Sequence, residues 1–132
     1  MVGGMGHTSS VALGYSLSSK KKTVCIDGDG SFLMHLGAIK TAGTFANKNF
    51  KYILLNNNSH DSVGGQNTYS NDINFEKLSK SLGFKKFYSI YLSLLFINVN
   101  LRSKFTIIVS MSPPAKSVVQ TALHLAACLT IH

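Results

Sequence analysis

Two short polar motifs constrain the fold of this chain most strongly, because each one directly follows an apolar run. Gly28–Ser31 (Gly-Asp-Gly-Ser) follows the run Thr23–Asp27, and the asparagines at 56–58 follow the run Lys51–Asn56. The 25 residues between Gly30 and Asn56 suffice for one crossover helix between two parallel strands. The sequence therefore predicts an α/β fold in which a carboxylate and a carboxamide meet at the carboxyl ends of neighbouring strands, where open α/β sheets bind ligands.

Asp29 and the asparagines carry side-chain oxygens that suit a hard cation. Mg²⁺ prefers such oxygens and keeps the rest of its octahedral shell for water and phosphate. The glycines of the first motif allow the backbone to approach a phosphate, and a helix that starts near Ser31 would direct its free N–H groups at that phosphate. Together the two motifs predict a Mg²⁺-diphosphate site.

Two less specific interpretations compete with this site. The first motif imitates the start of an EF-hand calcium loop, but the turn glycine would fall on Phe32 and the bidentate glutamate on Ala38, so the register excludes it. The asparagines alone would indicate only a polar loop. Their pairing with the upstream motif at this spacing favours the site.

Apolar spacing predicts three helices. The first covers Thr8–Ser18, with Ser9 and Ser10 as caps of its first turn. The last begins at Phe75 and ends at a glycine cap, Gly83. Between them, residues at helical spacing predict one core-facing helix. These residues are Phe32, Leu33, Leu36, Ile39 and Ala42.

Continuous apolar runs predict the strands of a parallel sheet flanked by helices. Thr23–Ile26 and Tyr52–Leu55 are the runs expected of strands covered on both faces. Phe105–Val109 predicts a later strand. Asn58–Asn74 is a long, glycine-rich polar loop, of the kind that shapes binding sites.

Composition and charge limit the class of protein. The 132 residues, 45% of them apolar, are enough for one domain with a modest core. The formal charge of +8 leaves a nucleic-acid-binding or phosphate-binding module as an alternative. The basic residues are scattered, however, apart from Lys20–Lys22, and no aromatic residues interleave with that cluster. We therefore expect no nucleic-acid partner.

The sequence also gives expectations about the cellular compartment. Cys25 and Cys128 are too few for a disulfide framework. The longest apolar stretch, Tyr88–Val99, is too short to span a bilayer. Met1 and Val2 leave no room for a secretory signal before the first glycines. We therefore expect a cytoplasmic protein with no membrane partner.

The motifs resemble those of thiamine-diphosphate enzymes, whose diphosphate-binding domain has Gly-Asp-Gly followed, one crossover helix later, by Asn-Asn. Gly3–Ser10, Asp29–Gly37 and Asn57–Gln66 are similar to stretches of the phosphonopyruvate decarboxylases in particular. His-Asp-Ser-Val-Gly-Gly-Gln, within the third stretch, is much more restrictive than Gly-Asp-Gly alone. The related sulfopyruvate decarboxylases share much of this pattern. The resemblance covers roughly residues 3–90 and favours a ligand-facing turn over a flexible terminus at Gly3–Gly6.

The resemblance implies a set of residues that contact the cofactor. Asp29 and Asn57 would bind Mg²⁺ through their side chains, and Ser59 would bind it through its backbone carbonyl. The glycines of the first motif and Ser31 would hold the diphosphate. The full set is Gly4, Met5, Gly6, Gly28, Asp29, Gly30, Ser31, Asn57 and Ser59.

The resemblance also implies roles for the residues around the reacting end of the cofactor. Met5 would lie beneath the bent cofactor. His7 and His60 would be the catalytic polar groups near the cofactor or the anionic head of the substrate. For each of these histidines, a structural hydrogen bond within its loop is the alternative. His35 falls inside the predicted middle helix, where a structural role is expected.

The implied function is the decarboxylation of a 2-oxo acid. With Mg²⁺ and thiamine diphosphate, 3-phosphonopyruvate would give phosphonoacetaldehyde and carbon dioxide. The alternatives are a subunit of the sulfopyruvate decarboxylase type and a non-catalytic, truncated remnant of the fold.

The resemblance further implies a partner. Members of the family activate the cofactor with a glutamate on a separate pyrimidine-binding domain. The only glutamate here, Glu76, matches no activating motif and is expected to be a solvated helix residue. A pyrimidine-binding domain or subunit is therefore expected, in a homo- or hetero-oligomer. We expect residues 1–110 to form the diphosphate domain, incomplete on its N-terminal side, and residues 111–132 to form a divergent tail.

Overall fold

The computed structural model of the chain describes residues 3–91 and 105–110. Four parallel strands form one sheet in the order β1-β2-β4-β3. They are β1 (Thr23–Gly28), β2 (Phe50–Asn56), β3 (Lys86–Tyr91) and β4 (Phe105–Ser110). The predicted α/β class, with a parallel sheet and flanking helices, is confirmed.

In the described residues, one α-helix precedes the first strand, and three α-helices and two single turns of 3₁₀-helix lie between successive strands. The helices are α1 (Thr8–Ser18), α2 (Asp29–Met34), α3 (Leu36–Phe45) and α4 (Phe75–Leu82), and the 3₁₀ turns are Asp61–Val63 and Ser70–Asp72. None of the helices in the described part of the chain has the length and apolar character needed to cross a bilayer. Both 3₁₀ turns lie in the predicted polar loop between β2 and α4.

The burial of the strands follows their positions in the sheet. All seven residues of β2 are buried, because this strand lies between β1 and β4. In β1, buried residues alternate with half-buried ones, since this strand is at the edge of the described sheet. The prediction of a strand covered on both faces is therefore confirmed for β2, whereas one face of β1 is only half-buried.

Aromatic and aliphatic side chains on one face of the sheet form the core with the helices. The Tyr52 ring is fully buried, and its centroid lies 6.2 Å from that of Phe32 and 6.0 Å from that of Phe84. Apolar side chains of α1, α3 and α4 pack into the same cluster. The buried members are Leu13, Cys25, Phe32, Ile39, Ala42, Phe50, Tyr52, Leu54, Leu82 and Phe84.

The middle helix differs from its prediction. The sequence predicts one helix that starts near Ser31, whereas the chain forms α2 from Asp29 and then breaks at His35, which has φ −130° and ψ 53°. The break releases His35 from the helix and leaves it exposed. The expectation that His35 lies inside a helix is therefore wrong.

The two outer helices test the predicted caps. The predicted serine caps of α1 are wrong. His7 is the N-cap, and no side chain makes a capping hydrogen bond. Ser9 is instead buried within the first turn, where its hydroxyl has no hydrogen-bond partner. The predicted end of α4 is confirmed, since Gly83 is its C-cap in the left-handed conformation. Asn74, which the sequence did not single out, accepts a hydrogen bond from the Lys77 N–H and caps the start of α4.

Candidate functional site

The carboxyl edge of β1 and β2 brings the two sequence motifs together. Gly28 pairs with Leu55 in the parallel register, so the next residues, Asp29 and Asn56, emerge side by side from the sheet. Asp29 is 1% exposed and Asn56 is 6% exposed. A carboxylate that is so deeply buried needs hydrogen-bond donors or a cation beside it.

Two hydroxyl groups from the long loop supply donors to the Asp29 carboxylate. The Thr68 hydroxyl donates a short hydrogen bond to Oδ2 of Asp29. The Ser70 hydroxyl lies 2.8 Å from the same oxygen. Both hydroxyl residues are buried, so the loop after β2 closes over the aspartate at the start of α2.

The Ser70 hydroxyl also contacts two asparagine oxygens. Its Oγ lies 2.8 Å from Oδ1 of Asn56 and 2.6 Å from Oδ1 of Asn58. A hydroxyl has one proton, so Ser70 can donate to only one of these oxygens, while the Asn58 N–H donates to Oδ1 of Asn56 at 3.2 Å and the Thr68 hydroxyl donates to Asp29. The cluster gathers carboxylate, amide and hydroxyl oxygens at one point, and these are the oxygen types that Mg²⁺ prefers.

The chemistry of the cluster depends on oxygen ligands. No three His, Cys, Asp or Glu side chains in the described residues lie close enough together to hold a metal ion. A cation here would therefore rely on amide, hydroxyl and backbone oxygens beside the single carboxylate of Asp29. Such ligands favour Mg²⁺ or Ca²⁺ over the softer metals.

The two other predicted metal ligands lie in the loop beside this cluster. The Asn57 side chain donates from Nδ2 to Oδ2 of Asp61 at 2.7 Å and accepts from the Ser59 N–H at 3.1 Å. The Asn57 side chain therefore bonds to residues of its own loop. Asn56 and Asn58 instead contact the Ser70 hydroxyl, which also contacts Asp29. Metal binding by Asn57 and Ser59 stays a prediction.

The loop after β2 is closed by backbone hydrogen bonds. The Thr68 N–H donates to the Asn58 carbonyl at 3.2 Å, and the His60 N–H donates to the Gln66 carbonyl at 2.8 Å. Ser59 and Asn67 form an antiparallel bridge between these two bonds. This pairing carries Thr68 back to the end of β2, within reach of Asp29.

His60 lies directly on the first motif. A Cβ atom at Gly30 would come within 2.3 Å of the His60 ring, so only glycine allows this close approach. At Gly28, by contrast, a Cβ atom would have no neighbour within 4 Å. Of the two glycines, Gly30 is the one that this packing requires.

The opening turn contacts the other side of α2. The Gly6 N–H donates to the Ser31 hydroxyl at 2.9 Å, and the His7 N–H donates to the Gly4 carbonyl at 3.1 Å. Gly4 and Met5 are half-buried. The turn predicted to face the cofactor thus lies against the residue predicted to hold the diphosphate.

The predicted catalytic histidines lie beside opposite ends of α2. The His7 ring is exposed, its Nδ1 lies 3.2 Å from the Met5 carbonyl oxygen, and its centroid is 4.5 Å from that of His35. His60 contacts Gly30, at the other end of the helix. The catalytic roles of His7 and His60 stay predictions.

Burial and a nearby carboxylate set the electrostatics behind the site. The Tyr52 hydroxyl donates to Oδ2 of Asp27 at 2.9 Å. Burial first, and the negative charge of Asp27 second, raise the pKa of Tyr52 well above its usual value. The same two causes, in the same order, raise the pKa of the Cys25 thiol. Both groups therefore stay protonated at neutral pH.

Sequence reasoning missed the hydroxyl residues and one asparagine. Thr68 and Ser70 are two of many polar residues in the loop, and no spacing rule connects them to Asp29. Asn58 belongs to the second motif, but only the fold distinguishes its orientation from that of Asn57. Its φ of +60° is a backbone state that asparagine tolerates better than most residues, which is a weak signal in the sequence.

The chain matches known proteins over the part that carries this site. The profile of the family "Thiamine pyrophosphate enzyme, C-terminal TPP binding domain" matches residues 1–93, where TPP is thiamine pyrophosphate, also called thiamine diphosphate. The phosphonopyruvate decarboxylase of Streptomyces viridochromogenes is 40% identical over 85 residues, which are 64% of this chain and 21% of that protein.

Sulfopyruvate decarboxylases are similar to the same extent. The subunit beta of Methanocaldococcus jannaschii is 39% identical over 84 residues, 63% of this chain and 45% of that protein. The sulfopyruvate decarboxylase of Methanosarcina acetivorans is 43% identical over 68 residues, 52% of this chain and 18% of that protein. The matched part of the chain spans less than half the length of each of these relatives. Because the family profile covers well over half of the chain, the chain belongs to the thiamine pyrophosphate enzymes, as a C-terminal TPP-binding domain.

Proposed function

We propose that this chain binds the diphosphate end of thiamine diphosphate through Mg²⁺, as part of an enzyme that decarboxylates a 2-oxo acid. The observation that carries the proposal is the group of buried side-chain oxygens around Asp29 at the carboxyl ends of β1 and β2. They are carboxylate, amide and hydroxyl oxygens, the types that Mg²⁺ prefers as ligands.

The proposed cofactor contacts divide into three groups. Asp29, Asn57 and the Ser59 carbonyl would hold Mg²⁺, beside the Asn56 and Asn58 oxygens that contact Ser70 next to Asp29. Gly28, Gly30 and Ser31 would hold the diphosphate. The turn Gly4–Gly6, with Met5 as its apolar side chain, would lie under the cofactor. The hydrogen bond from Gly6 to Ser31 supports this grouping, because it joins the turn to the diphosphate residues.

The chain's own residues would bind and orient, while the cofactor supplies the chemistry. When bound, thiamine diphosphate accepts the electrons that a 2-oxo acid releases as it loses carbon dioxide. His7 and His60 would hydrogen-bond the anionic head of the substrate or an adjacent polar group. The exposure of the His7 side chain and the half-burial of the His60 side chain are compatible with contact to a small anion.

We propose 3-phosphonopyruvate as the substrate, with phosphonoacetaldehyde and carbon dioxide as products. A sulfopyruvate decarboxylase-type activity is the alternative. Phosphonopyruvate and sulfopyruvate decarboxylases are similar to this chain at nearly the same identity. Both substrates are 2-oxo acids with a second anionic group. We therefore propose this class of substrate first, and phosphonopyruvate as the member within it.

The activating glutamate would come from a pyrimidine-binding domain or subunit. Glu76, the only glutamate of the chain, lies on α4, where its carboxylate accepts from the Lys80 ammonium at 2.6 Å. Lys80 also lowers the pKa of Glu76, so this carboxylate is suited to a surface ion pair. The description of one relative as a subunit beta supports a separate partner. We propose that residues 1–110 form the diphosphate domain. Residues 111–132, which lie outside the described residues, are the proposed tail.

Calorimetric titration with thiamine diphosphate tests the proposal. The full chain should bind thiamine diphosphate in the presence of Mg²⁺ and release it when EDTA is added. Asp29→Ala should abolish this binding, because it removes the only carboxylate of the oxygen cluster. Glu76→Gln is the matched control, since it removes an exposed carboxylate on α4 and should leave binding unchanged. Binding that survives both EDTA and Asp29→Ala would overturn the metal assignment.

The remnant alternative needs a second experiment. Adding a pyrimidine-binding partner that carries the activating glutamate should restore carbon dioxide release from phosphonopyruvate or sulfopyruvate. Tight, Mg²⁺-dependent cofactor binding with no turnover in the reconstituted complex would favour a non-catalytic remnant.

A further inference from the structure

We propose that the hydroxyl pair Thr68 and Ser70 positions the oxygens of the cation site, so that closing the loop over Asp29 and binding the cation are coupled. The inference rests on the proposed function. It assigns a positioning role to two residues of the loop after β2. Neither residue belongs to the set of cofactor contacts proposed above.

Ser70 contacts residues that are distant from it along the chain. Its Oγ contacts Asp29 at the start of α2, Asn56 at the end of β2 and Asn58 at the start of the loop. These three residues are separated from Ser70 by 41, 14 and 12 positions along the chain. One buried hydroxyl therefore lies between the start of α2 and the junction of β2 with its loop, in contact with an oxygen from each of the three residues.

The backbone between Thr68 and Ser70 has an unusual conformation. Tyr69 has a φ of +56°, which is unusual for a residue with a side chain. This conformation leaves the Tyr69 side chain 72% exposed and lets Thr68 and Ser70 both reach Oδ2 of Asp29. A backbone state of this kind persists when its surroundings hold it in place.

Two residues of the loop contact Asn58, one at its backbone and one at its side chain. Its carbonyl accepts from the Thr68 N–H at 3.2 Å, and its side-chain oxygen lies 2.6 Å from Ser70 Oγ. Asn58 also has a positive φ, +60°. The first bond comes from the backbone and stays in any Thr68 variant, so Ser70→Ala is the change that removes the side-chain contact holding the Asn58 oxygen beside Asp29.

Partners that orient the ligands of a metal raise its affinity even when they do not bind it themselves. Removing one typically lowers metal affinity about 10–100-fold. We therefore expect Ser70→Ala and Thr68→Val to weaken cation binding by about 10-fold or more. Thr68→Ser restores the hydroxyl that Thr68→Val lacks, so it should recover the lost affinity.

The experiment measures Mn²⁺ binding to the full chain by electron paramagnetic resonance of the free ion, without added pyrophosphate, because pyrophosphate would itself bind Mn²⁺ and lower the free-ion signal. The matched control is Ser16→Ala, because Ser16 is also fully buried and its hydroxyl donates only to the Leu13 carbonyl in α1. It should bind Mn²⁺ as tightly as the unaltered chain. A second measurement, amide hydrogen exchange without metal, should show faster exchange at His60 and Thr68 in Ser70→Ala.

The outcomes separate this inference from the proposed function. If the unaltered chain binds no Mn²⁺, the proposed function is wrong and the inference is wrong with it. If the unaltered chain binds Mn²⁺ and both Ser70→Ala and Thr68→Val bind it equally well, only the inference is overturned. If Ser70→Ala does not fold, the comparison of Thr68→Val with Thr68→Ser decides.

Discussion

The Tyr52 hydroxyl donates a 2.9 Å hydrogen bond to the Asp27 carboxylate, and this bond joins β2 to β1 one residue before the Gly-Asp-Gly motif begins. Tyr52 is fully buried and Asp27 is 7% exposed. The Gly28 N–H donates to the other oxygen of the same carboxylate at 3.1 Å. The core and the candidate site therefore share one buried acidic group.

Removing the Tyr52 hydroxyl should destabilise the fold. In Tyr52→Phe, the Asp27 carboxylate loses one of its donors in a buried setting, which we expect to cost about 1–3 kcal/mol. Urea unfolding followed by circular dichroism measures the change. Tyr15→Phe is the control, because Tyr15 is 51% exposed, and its substitution should leave the free energy of unfolding unchanged. Equal stabilities for the two variants would show that the bond contributes nothing.

Stability should fall at alkaline pH, starting near the ordinary pKa of tyrosine. Burial and Asp27 raise the pKa of Tyr52 well above its ordinary value of 10.0. Below pH 10, the folded and unfolded chains both keep this phenol protonated. Above it the unfolded chain releases the proton first, so the free energy of unfolding decreases as pH rises. Tyr52→Phe should reduce this slope, and an unchanged slope would contradict the assignment.

Cys25 should resist alkylation in the folded protein. Burial, with Asp27 as the second cause, raises the pKa of its thiol above the ordinary value of 9.0, and the thiolate is the reactive form. Iodoacetamide at about pH 8, just below the ordinary thiol pKa, should label Cys25 only after denaturant is added. Cys128 lies outside the described residues, so the measurement uses Cys128→Ser to isolate Cys25. Rapid labelling without denaturant would contradict its burial.

Two glycines should respond in opposite directions to alanine. Gly83→Ala places a side chain at φ +101° and a Cβ 2.9 Å from the Gly43 carbonyl oxygen, so we expect a loss of about 1–3 kcal/mol. Gly14 lies inside α1, where a Cβ atom would have no neighbour within 4 Å. Gly14→Ala should stabilise the protein by about 0.5–1 kcal/mol. Thermal unfolding of both variants measures the contrast.

Gly30→Ala should displace the His60 ring from its contact with the Gly-Asp-Gly-Ser motif. The new Cβ would collide with the ring, and such overpacking costs about 1–3 kcal/mol. His60→Ala in the same chain should recover most of that loss, which a double-mutant cycle measures. Gly28→Ala is the matched control, since its Cβ would occupy open space. Additive effects of the two changes would show that the Gly30–His60 contact does not exist.

Local patterns in the sequence are enough to predict most of the elements. The apolar runs before the two motifs form β1 and β2, and the later run forms β4. The strand β3 was not predicted, because Lys86–Tyr91 overlaps the start of the long apolar stretch at 88–99 and shows no separate boundary. The His35 break was missed for a similar reason, since the apolar spacing continues through it.

The candidate site could be predicted only where it follows directly from strand order. Asp29 and Asn56 meet because parallel strands end at one edge of the sheet. Thr68 and Ser70 reach that edge through the tertiary fold of a loop, so no spacing rule includes them. Their assignment depends on the distances to Asp29, Asn56 and Asn58.

The strand order has a consequence for any attempt to shorten this chain. β4 comes last among the described strands along the sequence, yet it lies between β2 and β3. The family profile matches residues 1–93, so a fragment cut at that boundary would lack β4. Such a fragment would leave β3 without its neighbour in the described sheet and would open one edge of β2, the most deeply buried strand. We therefore expect a fragment that ends at residue 93 to be less stable than a chain that includes β4.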